Sequence, residues 1–321
     1  MYDTGRMTRA RATALLFGGA ALGATGLRAA AQTMTPLRVA LYATENAAEP
    51  DYAKEMGFFA KAGLDVDIQT LNSSAAVAAA ISSNAVDIGF VTIDVAAAIH
   101  QRNIPLVVIA PAAEYVSPGS MRTSALILPG NSPVQQAKDL NGKIIAASAL
   151  HSLAETAPRS WIDQNGGDSA TIKFVELPFP AMPAALDSGR IDAAWVTEPF
   201  LGVARAHGRV LTYGFDGISK HFLIGAWFAT PQWAQDHPDV AKRYAGVIHD
   251  TAVWANKNQS RTGEILATYL KIDPAVIATM ARTHYAEAVT PALLQPLIDV
   301  SSKYNGFAAF PAQELMSPSA R

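Results

Sequence analysis

Apolar and polar residues follow one another in the same order in two separate stretches of the chain. Residues 80–92 align without a gap on residues 185–197, with five identities and four conservative replacements. Each copy is typical of a helix end, a turn and a short buried strand, which ends at Thr92 or at Thr197. The offset of 105 residues is about one domain length and exceeds the roughly 20–50 residues of a solenoid repeat. The pattern predicts two similar lobes with a cleft between them.

A second apolar strand pattern precedes the helix of each copy, over residues 64–71 and 172–177. Each lobe is therefore expected to contain a β-α-β unit with a right-handed crossover. In an open parallel sheet, ligands bind at the carboxyl ends of the strands, beside helix N-termini. Thr92 and Thr197 mark that edge, so the sequence places the binding site there.

Four further residues occupy matching positions in the two copies. Asn84 and Gly189 are residue types that tolerate the left-handed conformation at the end of a helix. Asp87 and Asp192 resemble a pair of catalytic carboxylates, but they lie at the strand starts, far from the ligand edge. We interpret both as structural turn residues.

The remaining pattern extends this plan along the chain. Strands are predicted over 37–42, 106–110, 144–148 and 210–215, and the tail from 238 to 321 is mostly helical and should pack on the first lobe. Residues 124–128 are predicted to form the first crossover between lobes, and residues 225–229 the return. The expected bounds are 32–122 and 224–321 for lobe 1, 123–223 for lobe 2, and 1–31 for a segment outside the fold.

The N-terminal segment has the features of a secretory signal. Three arginines in the first eleven residues precede an apolar stretch over 12–27, and three alanines at 29–31 stand before Gln32. This order predicts a signal peptide cleaved near Ala31 and a periplasmic, soluble product that is not a lipoprotein. Sec export is favoured, and the non-adjacent arginines indicate a twin-arginine route only weakly. Met1 and Met7 are both possible starts.

Composition excludes several classes of site. The chain contains no cysteine, which rules out disulfides, thiolate catalysis, cysteine-metal sites and a lipid-accepting cysteine after the signal. Half of the residues are hydrophobic and 16% are charged, which argues against disorder. Without residues 1–31, the chain keeps 21 basic and 26 acidic residues, a balance that does not suit nucleic acid.

Five short motifs resemble one family of proteins. They are Gly-Phe-Phe-x-Lys-x-Gly-Leu at 57–64, Asp-Leu-Asn-Gly-Lys-Ile-Ile-Ala at 139–146, Ala-Leu-x-Ser-Gly-x-Ile-Asp-Ala at 185–193, Glu-Pro-Phe at 198–200, and Pro-Leu-Ile-Asp with Lys-Tyr-x-Gly across 296–306. The chain resembles the SsuA/TauA-like family, which includes binders of thiamine-pyrimidine precursors, from Leu37 to Leu315. These are solute-binding proteins of bacterial ABC importers.

The resemblance implies a type II periplasmic-binding fold. Two α/β lobes with parallel sheets, joined by two crossover strands, would close on a small ligand and deliver it to an ABC permease and its ATPase. Ligands in the family include sulfonates, taurine, nitrate, aromatic acids and pyrimidine precursors, and the resemblance does not choose among them. We expect a monomer with no cofactor, no metal and no nucleic-acid partner.

Candidate ligand contacts lie in the loops that follow the predicted strands, together with one tryptophan as an apolar wall. Hydroxyls and backbone N–H groups at a helix start can hold an anion without a buried arginine. The predicted contacts are Glu45, Asn46, Asn72, Ser73, Ser74, Thr92, Ser148, His151, Ser152, Thr197, Glu198 and Trp227.

Several of these residues also have a structural interpretation. Ser73 or Ser74 can simply cap a helix, and Asp94 is favoured as a cap rather than a contact. His151 can equally be a solvated loop residue. Glu198 is a plausible cap, but in the cleft it would repel an anion and favour an amine. Trp195, like Trp227, can form an apolar wall of the cleft, but core packing is favoured for Trp195.

Two other functions compete with ligand binding. The alternative is an enzyme on the same fold that acts on a small sulfur- or nitrogen-containing compound, but the family's known enzymes depend on cysteine. No Gly-x-Ser-x-Gly nucleophile motif is present either. A sensor that reports its ligand to a receptor is the other alternative. We therefore expect a non-enzymatic binding protein.

Overall fold

The computed structural model describes residues 34–117 and 122–316. The predicted signal segment and its cleavage site lie outside the described residues. Thirteen strands occur in the described part: β1 (Thr35–Tyr42), β2 (Leu64–Leu71), β3 (Ile88–Thr92), β4 (Val107–Pro111), β5 (Ala113–Val116), β6 (Ser124–Pro129), β7 (Ile144–Ala147), β8 (Lys173–Glu176), β9 (Ala193–Thr197), β10 (Gly208–Thr212), β11 (His221–Leu223), β12 (Gly225–Ala229) and β13 (His284–Tyr285).

The described part also contains twelve α-helices: α1 (Glu49–Glu55), α2 (Phe58–Lys61), α3 (Ser74–Ser82), α4 (Ile93–His100), α5 (Leu153–Gln164), α6 (Met182–Asp187), α7 (Phe200–Ala204), α8 (Pro231–Asp236), α9 (Pro238–Lys257), α10 (Gln259–Leu270), α11 (Pro274–Thr279) and α12 (Pro291–Asn305). Among residues 34–117 and 122–316, no helix combines the length and the apolar character needed to cross a membrane.

Two five-stranded sheets share one plan. The first has the order β2-β1-β3-β12-β4 and the second the order β10-β6-β9-β7-β8. Three strands in each are parallel, namely β2-β1-β3 and β9-β7-β8. One further strand in each sheet, β12 in the first and β6 in the second, lies antiparallel to both of its neighbours. The predicted α/β fold is confirmed, and its sheets are mixed rather than wholly parallel.

Two segments that the pattern assigned to the crossovers are strands of the two sheets. Residues 124–128 and 225–229, which the pattern assigned to the crossovers, form β6 and β12 inside the two sheets. The segments that link the sheets instead include β5 and β11, which pair antiparallel in a separate three-stranded sheet with β13. Apolar composition alone could not separate a linking strand from a sheet strand.

The two copies of the repeat start their strands in the same way. Asp87 accepts a hydrogen bond from the backbone N–H of Arg38 at 2.8 Å, and its own N–H donates to the Arg38 carbonyl at 2.9 Å. Asp192 makes the equivalent pair of bonds with Ile144, both at 2.8 Å. Each carboxylate therefore locks a strand start to its neighbouring strand, which confirms the structural role predicted for both residues.

The helix ends of the two copies are also equivalent. Asn84 has a φ of 57° and Gly189 a φ of 68°, so both adopt the predicted left-handed conformation. The turn reverses the chain from α3 into β3 and from α6 into β9. It therefore fixes where the two strands begin, and hence where Thr92 and Thr197 end them.

Large aromatic side chains fill the core beside each sheet. Phe90 and Trp227 are fully buried, with ring centroids 5.6 Å apart. Trp195, the counterpart of Phe90 in the second copy, lies 5.4 Å from Phe215. Burial of such rings removes about 150–250 Å² each from water, so these clusters anchor the two strand ends that face the ligand edge.

The C-terminal helices do not all pack on the first sheet. Helix α9 packs against β4 and α1, as expected, whereas α12 contacts both α4 and α5. The Tyr304 hydroxyl donates to Asp163 of α5 at 2.8 Å. The tail therefore spans elements that accompany both sheets, which the helical pattern did not indicate.

Candidate functional site

A cavity of about 680 Å³ lies where strands of both sheets end. Tyr42, Leu71 and Thr92 line it from the ends of three parallel strands of the first sheet. Ser148 and Thr197 line it from the second sheet. The two repeat threonines thus open onto one shared space, as the duplicated pattern predicted.

Most of the predicted contacts come together in this cavity. The residues that line it are those at strand ends and helix starts, where the parallel strands of both sheets present loops to the same space. Eight of the twelve predicted contacts are among the lining residues: Asn46, Asn72, Ser73, Ser74, Thr92, Ser148, Ser152 and Thr197.

Two serines at helix starts combine a structural and a cavity role. Ser73 accepts a hydrogen bond from the N–H of Ala76 at 3.2 Å and so caps α3. Ser152 accepts from the N–H of Ala154 at 3.3 Å, caps α5, and donates to the carbonyl of Ala149 at 2.7 Å. Both side chains also line the cavity. Each of these two serines therefore both caps a helix and lines the cavity.

Each repeat threonine is held by a serine. The Ser74 hydroxyl accepts from the N–H of Thr92 at 2.9 Å and lies 3.1 Å from the Thr92 hydroxyl. Thr197 and Ser124 share a hydroxyl–hydroxyl bond of 2.8 Å. Ser124 also lines the cavity but comes from β6, which sequence reasoning assigned to a crossover. The four hydroxyls form two fixed polar pairs on opposite sheets.

Asn46 reaches the cavity because its loop is braced from the far end of the chain. Its side-chain oxygen accepts a hydrogen bond from the Thr283 hydroxyl at 2.8 Å. The neighbouring Glu45 pairs with Arg282 at 2.6 Å and accepts from the Thr283 N–H at 3.0 Å. Burial raises the pKa of Glu45 to about 6, although Arg282 and Thr283 oppose the rise. Glu45 therefore fixes the loop that presents Asn46.

Two other predicted contacts are buried and hydrogen-bonded inside the protein and do not line the cavity. Glu198 is only 1% exposed and accepts a hydrogen bond from the N–H of Gly202 at 2.9 Å. Its other oxygen lies 3.4 Å from Arg205. Trp227 is fully buried and donates its indole N–H to Glu49 at 2.8 Å. The expected cleft wall at Trp227 is thus a core side chain.

His151 and Glu45 complete the set of predicted contacts that do not line the cavity. His151 is exposed and left-handed, with a φ of 56°, and its backbone N–H donates to Glu155 at 2.8 Å. Its side chain therefore fits the solvated-loop interpretation. Glu45 is 2% exposed and engaged by Arg282.

Asp94 is not the helix cap that the sequence suggested. Thr92 occupies the N-cap position of α4, and Asp94 lies in the first turn with no exposed surface. Among the described residues, neither of its carboxylate oxygens has a hydrogen-bond partner of full geometry. Burial raises the pKa of Asp94 to about 6, while the Thr92 hydroxyl and the N–H groups of Val95 and Leu153 oppose the rise.

The profile of the family described as NMT1/THI5 like matches residues 47–261 of this chain. The chain belongs to the NMT1/THI5-like family. This membership agrees with the resemblance seen in the sequence motifs.

Similar proteins of known name are bacterial binding proteins. The taurine-binding periplasmic protein of Escherichia coli is 28% identical over 209 residues, which cover 63% of this NMT1/THI5-like chain and 62% of the relative. The match thus spans about three fifths of that relative's length.

Solved structures share the fold at low identity. The aliphatic sulphonate binding protein SsuA from Escherichia coli has a TM-score of 0.71 at 16% identity, covering 88% of this chain and 91% of that one. The ligand-binding component of an ABC-type import system from Staphylococcus aureus has a TM-score of 0.76 at 15% identity, with coverage of 89% and 98%. Both likenesses confirm the predicted two-sheet α/β fold.

Aromatic rings form the part of the NMT1/THI5-like cavity that sequence reasoning missed. Tyr42, Phe179, Trp195, Phe200 and Phe215 all line it. Phe179 and Phe200 stack on each other, with ring centroids 5.4 Å apart. Trp195 packs in the core, as expected, yet also borders the cavity. The Pro-Phe-Pro sequence directly after the β8 strand was the available signal for Phe179, because it follows a strand end.

The charge of the cavity lining is one-sided. Of the described residues that line it, none is lysine, arginine or histidine, and Glu176 is the only carboxylate. Glu176 is exposed and accepts a long hydrogen bond of 3.4 Å from the N–H of Leu150. Polar recognition in this site therefore depends on hydroxyls, amides and helix starts.

Proposed function

We propose that this chain is a solute-binding protein of an ABC importer, which captures a small organic ligand in the cavity and delivers it to a permease and its ATPase. The single observation that carries the proposal is that Thr92 and Thr197, the matching ends of the two repeat copies, line one cavity. A ligand that bridges them would contact both sheets at once.

The proposed lobes keep the bounds suggested by the sequence: 32–122 with 224–321, and 123–223. Strands β1–β4 and β12 build one sheet, and strands β6–β10 build the other. This division supports closure of two lobes on the ligand, in which binding energy selects the closed form that a permease reads. The protein would act as a monomer.

The names of the relatives support a binding function over a catalytic one. The taurine-binding relative is a periplasmic protein, and the chain contains no cysteine for the thiolate chemistry of enzymes on this fold. Among the described residues, no group of three histidine, aspartate or glutamate side chains is placed to hold a metal ion. Export by the N-terminal signal would place the mature protein in the periplasm.

A thermal-shift screen of the chain from Gln32 onward tests the proposal. The panel contains sulfonates, taurine, aromatic acids, pyrimidines and amines. A compound at 100 times its Kd should stabilise the fold by about 2.7 kcal/mol. Thr197→Val should weaken the best compound about tenfold through one lost hydrogen bond. Thr268→Val, at an exposed threonine of α10, is the matched control.

Two results would contradict the proposal. One is that no compound of any class stabilises the fold. The other is that Thr197→Val and Thr268→Val leave the affinity of the best compound equally unchanged, because the ligand would then bind elsewhere than in the shared cavity.

A further inference from the structure

Three helix starts meet at the cavity. Helices α3, α4 and α5 begin at Ser74, Ile93 and Leu153, and the residues before them, Ser73, Thr92 and Ser152, all line the space. Each helix start carries partial positive charge from its free N–H groups. Such a convergence ordinarily attracts an anion, so by itself it would favour a sulfonate or a carboxylate ligand.

A carboxylate of the protein already lies at these helix starts. Asp94 is in the first turn of α4, and the N–H of Leu153 in the first turn of α5 lies close enough to lower its pKa. Leu153 and Thr92, the neighbours of Asp94, line the cavity. The Asp94 carboxylate therefore offsets the partial positive charge at the N-termini of α4 and α5.

The buried polar atoms without a partner at the site are two carboxylate oxygens, which accept, and one hydroxyl, which can donate or accept. Both oxygens of the fully buried Asp94 have no hydrogen-bond partner of full geometry among the described residues. The buried hydroxyl of Thr44, which lines the cavity, is likewise without a partner in the described part. Glu176 is the one carboxylate among the described lining residues, whereas Asp94 lies behind the lining, beside Thr92 and Leu153. A carboxylate with unpaired oxygens is stabilised by donors, and an anionic ligand near Asp94 and Glu176 would be repelled.

The walls favour a flat ligand. Five aromatic rings border the space, and a cation or a polarised N–H group over such a face is attracted by the ring. The absence of lysine, arginine and histidine from the described lining leaves an anionic group without a side-chain counter-ion.

Building on the proposed function, we infer that the ligand is a small ring compound with no net negative charge, neutral or cationic, which donates hydrogen bonds. The negative charge of Asp94 already offsets the helix N-termini that would otherwise attract an anionic ligand. This ligand class differs from the aliphatic sulphonates for which SsuA from Escherichia coli is named.

Three probes with the same ring and different charge test the inference: benzylamine, benzyl alcohol and phenylmethanesulfonate. Their affinities are measured by calorimetry on the chain from Gln32 onward at pH 8, where Asp94 is ionised. The amine and the alcohol should bind more tightly than the sulfonate. Asp94→Asn should change the ratio of sulfonate to amine affinity roughly tenfold in favour of the sulfonate. The reason is that the variant loses a nearby negative charge, which repels the sulfonate and attracts the amine.

The control is Asp65→Asn, which removes one exposed carboxylate at the opposite end of β2 from Leu71. It changes the net charge equally and should leave the ratio unaltered. Glu176→Gln should weaken the amine alone. Tighter binding of the sulfonate than of the amine by the unaltered chain would overturn the inference and leave the proposed function standing. Failure of every compound in the wider screen would instead remove the proposed function.

Discussion

The two copies of the repeat agree where their strands begin and differ where they end. Asp87 and Asp192 make the same pair of hydrogen bonds to a neighbouring strand. Just beyond the strand ends, Asp94 lies two residues after Thr92, and Glu198 comes directly after Thr197. Both acids are buried, but Glu198 is paired and Asp94 is not. The strand starts thus preserve the framework, whereas the residues after the strand ends distinguish the two sides of the cavity.

This difference explains what each acid does. Glu198 accepts from Gly202 and faces Arg205, so its charge is used within the protein. Asp94 has the N–H groups of two helix starts nearby and no hydrogen bond of full geometry, and its neighbours Thr92 and Leu153 line the cavity. A buried carboxylate without a partner destabilises the fold. Its presence in Asp94 is therefore consistent with a functional role, the selection of a ligand by its charge.

A third buried acid beside the first copy provides the largest expected effect. Glu45 is paired with Arg282, and Arg282→Met would leave Glu45 without a counter-ion, with only the hydrogen bond from the Thr283 N–H. We expect a loss of about 3–5 kcal/mol in the free energy of unfolding at pH 8, because an uncompensated buried charge remains. Urea unfolding measures it.

The loss from Arg282→Met should be smaller at pH 5, since the raised pKa of Glu45, about 6, lets it take up a proton there. Arg261→Met is the control, because Arg261 makes only surface ion pairs and its loss should be below about 1 kcal/mol. Equal losses for the two variants would show that the Glu45 pair does not brace the loop.

The next effect concerns Glu198. Glu198→Gln keeps the size of the side chain but removes the charge that faces Arg205. We expect a loss of about 1–2 kcal/mol in the free energy of unfolding, as for a buried charged hydrogen bond. The preference between benzylamine and phenylmethanesulfonate should stay as in the unaltered chain. A change in that preference would place Glu198 at the ligand, as the sequence first suggested, and would remove the contrast with Asp94.

The smallest effect is a pH dependence at Asp94. Its pKa rises from 3.8 to about 6 on folding. The folded chain therefore binds the proton more tightly, and this contribution to stability is lost as the pH rises from about 4 to about 6. Asp94→Asn does not titrate. Its free energy of unfolding relative to the unaltered chain should increase by about 1–2 kcal/mol between pH 4.5 and pH 8.

Tyr42 is a titratable neighbour of Asp94, and its pKa is raised, so it stays neutral throughout this range. Parallel urea titrations of both proteins at the two pH values measure the difference. A constant difference would mean that Asp94 is either solvated or fully hydrogen-bonded in the folded chain.

Much of the framework could be predicted from the sequence because it is local. The helix ends at Asn84 and Gly189, the strands that follow them and the serine caps all depend on residues a few positions apart. Parallel-sheet geometry then brings distant strand ends to one edge, which is why eight predicted contacts meet in the cavity.

The errors at the site come from partners far away in the chain. Trp227 bonds to Glu49 across 178 positions, and Glu45 meets Arg282 across 237 positions. No local pattern reveals such partners, so buried paired side chains resembled ligand contacts. Trp195 was left out of the predicted contacts because it resembled a core side chain. It is buried in the core and also lines the cavity.

The most direct measurement is a crystal structure of the chain from Gln32 onward with the best compound of the thermal-shift screen. We expect density for that compound within hydrogen-bond distance of groups beside both Thr92 and Thr197, with a donor directed towards Glu176. Density in any other place, or a bound anion seated at the three helix starts, would contradict it.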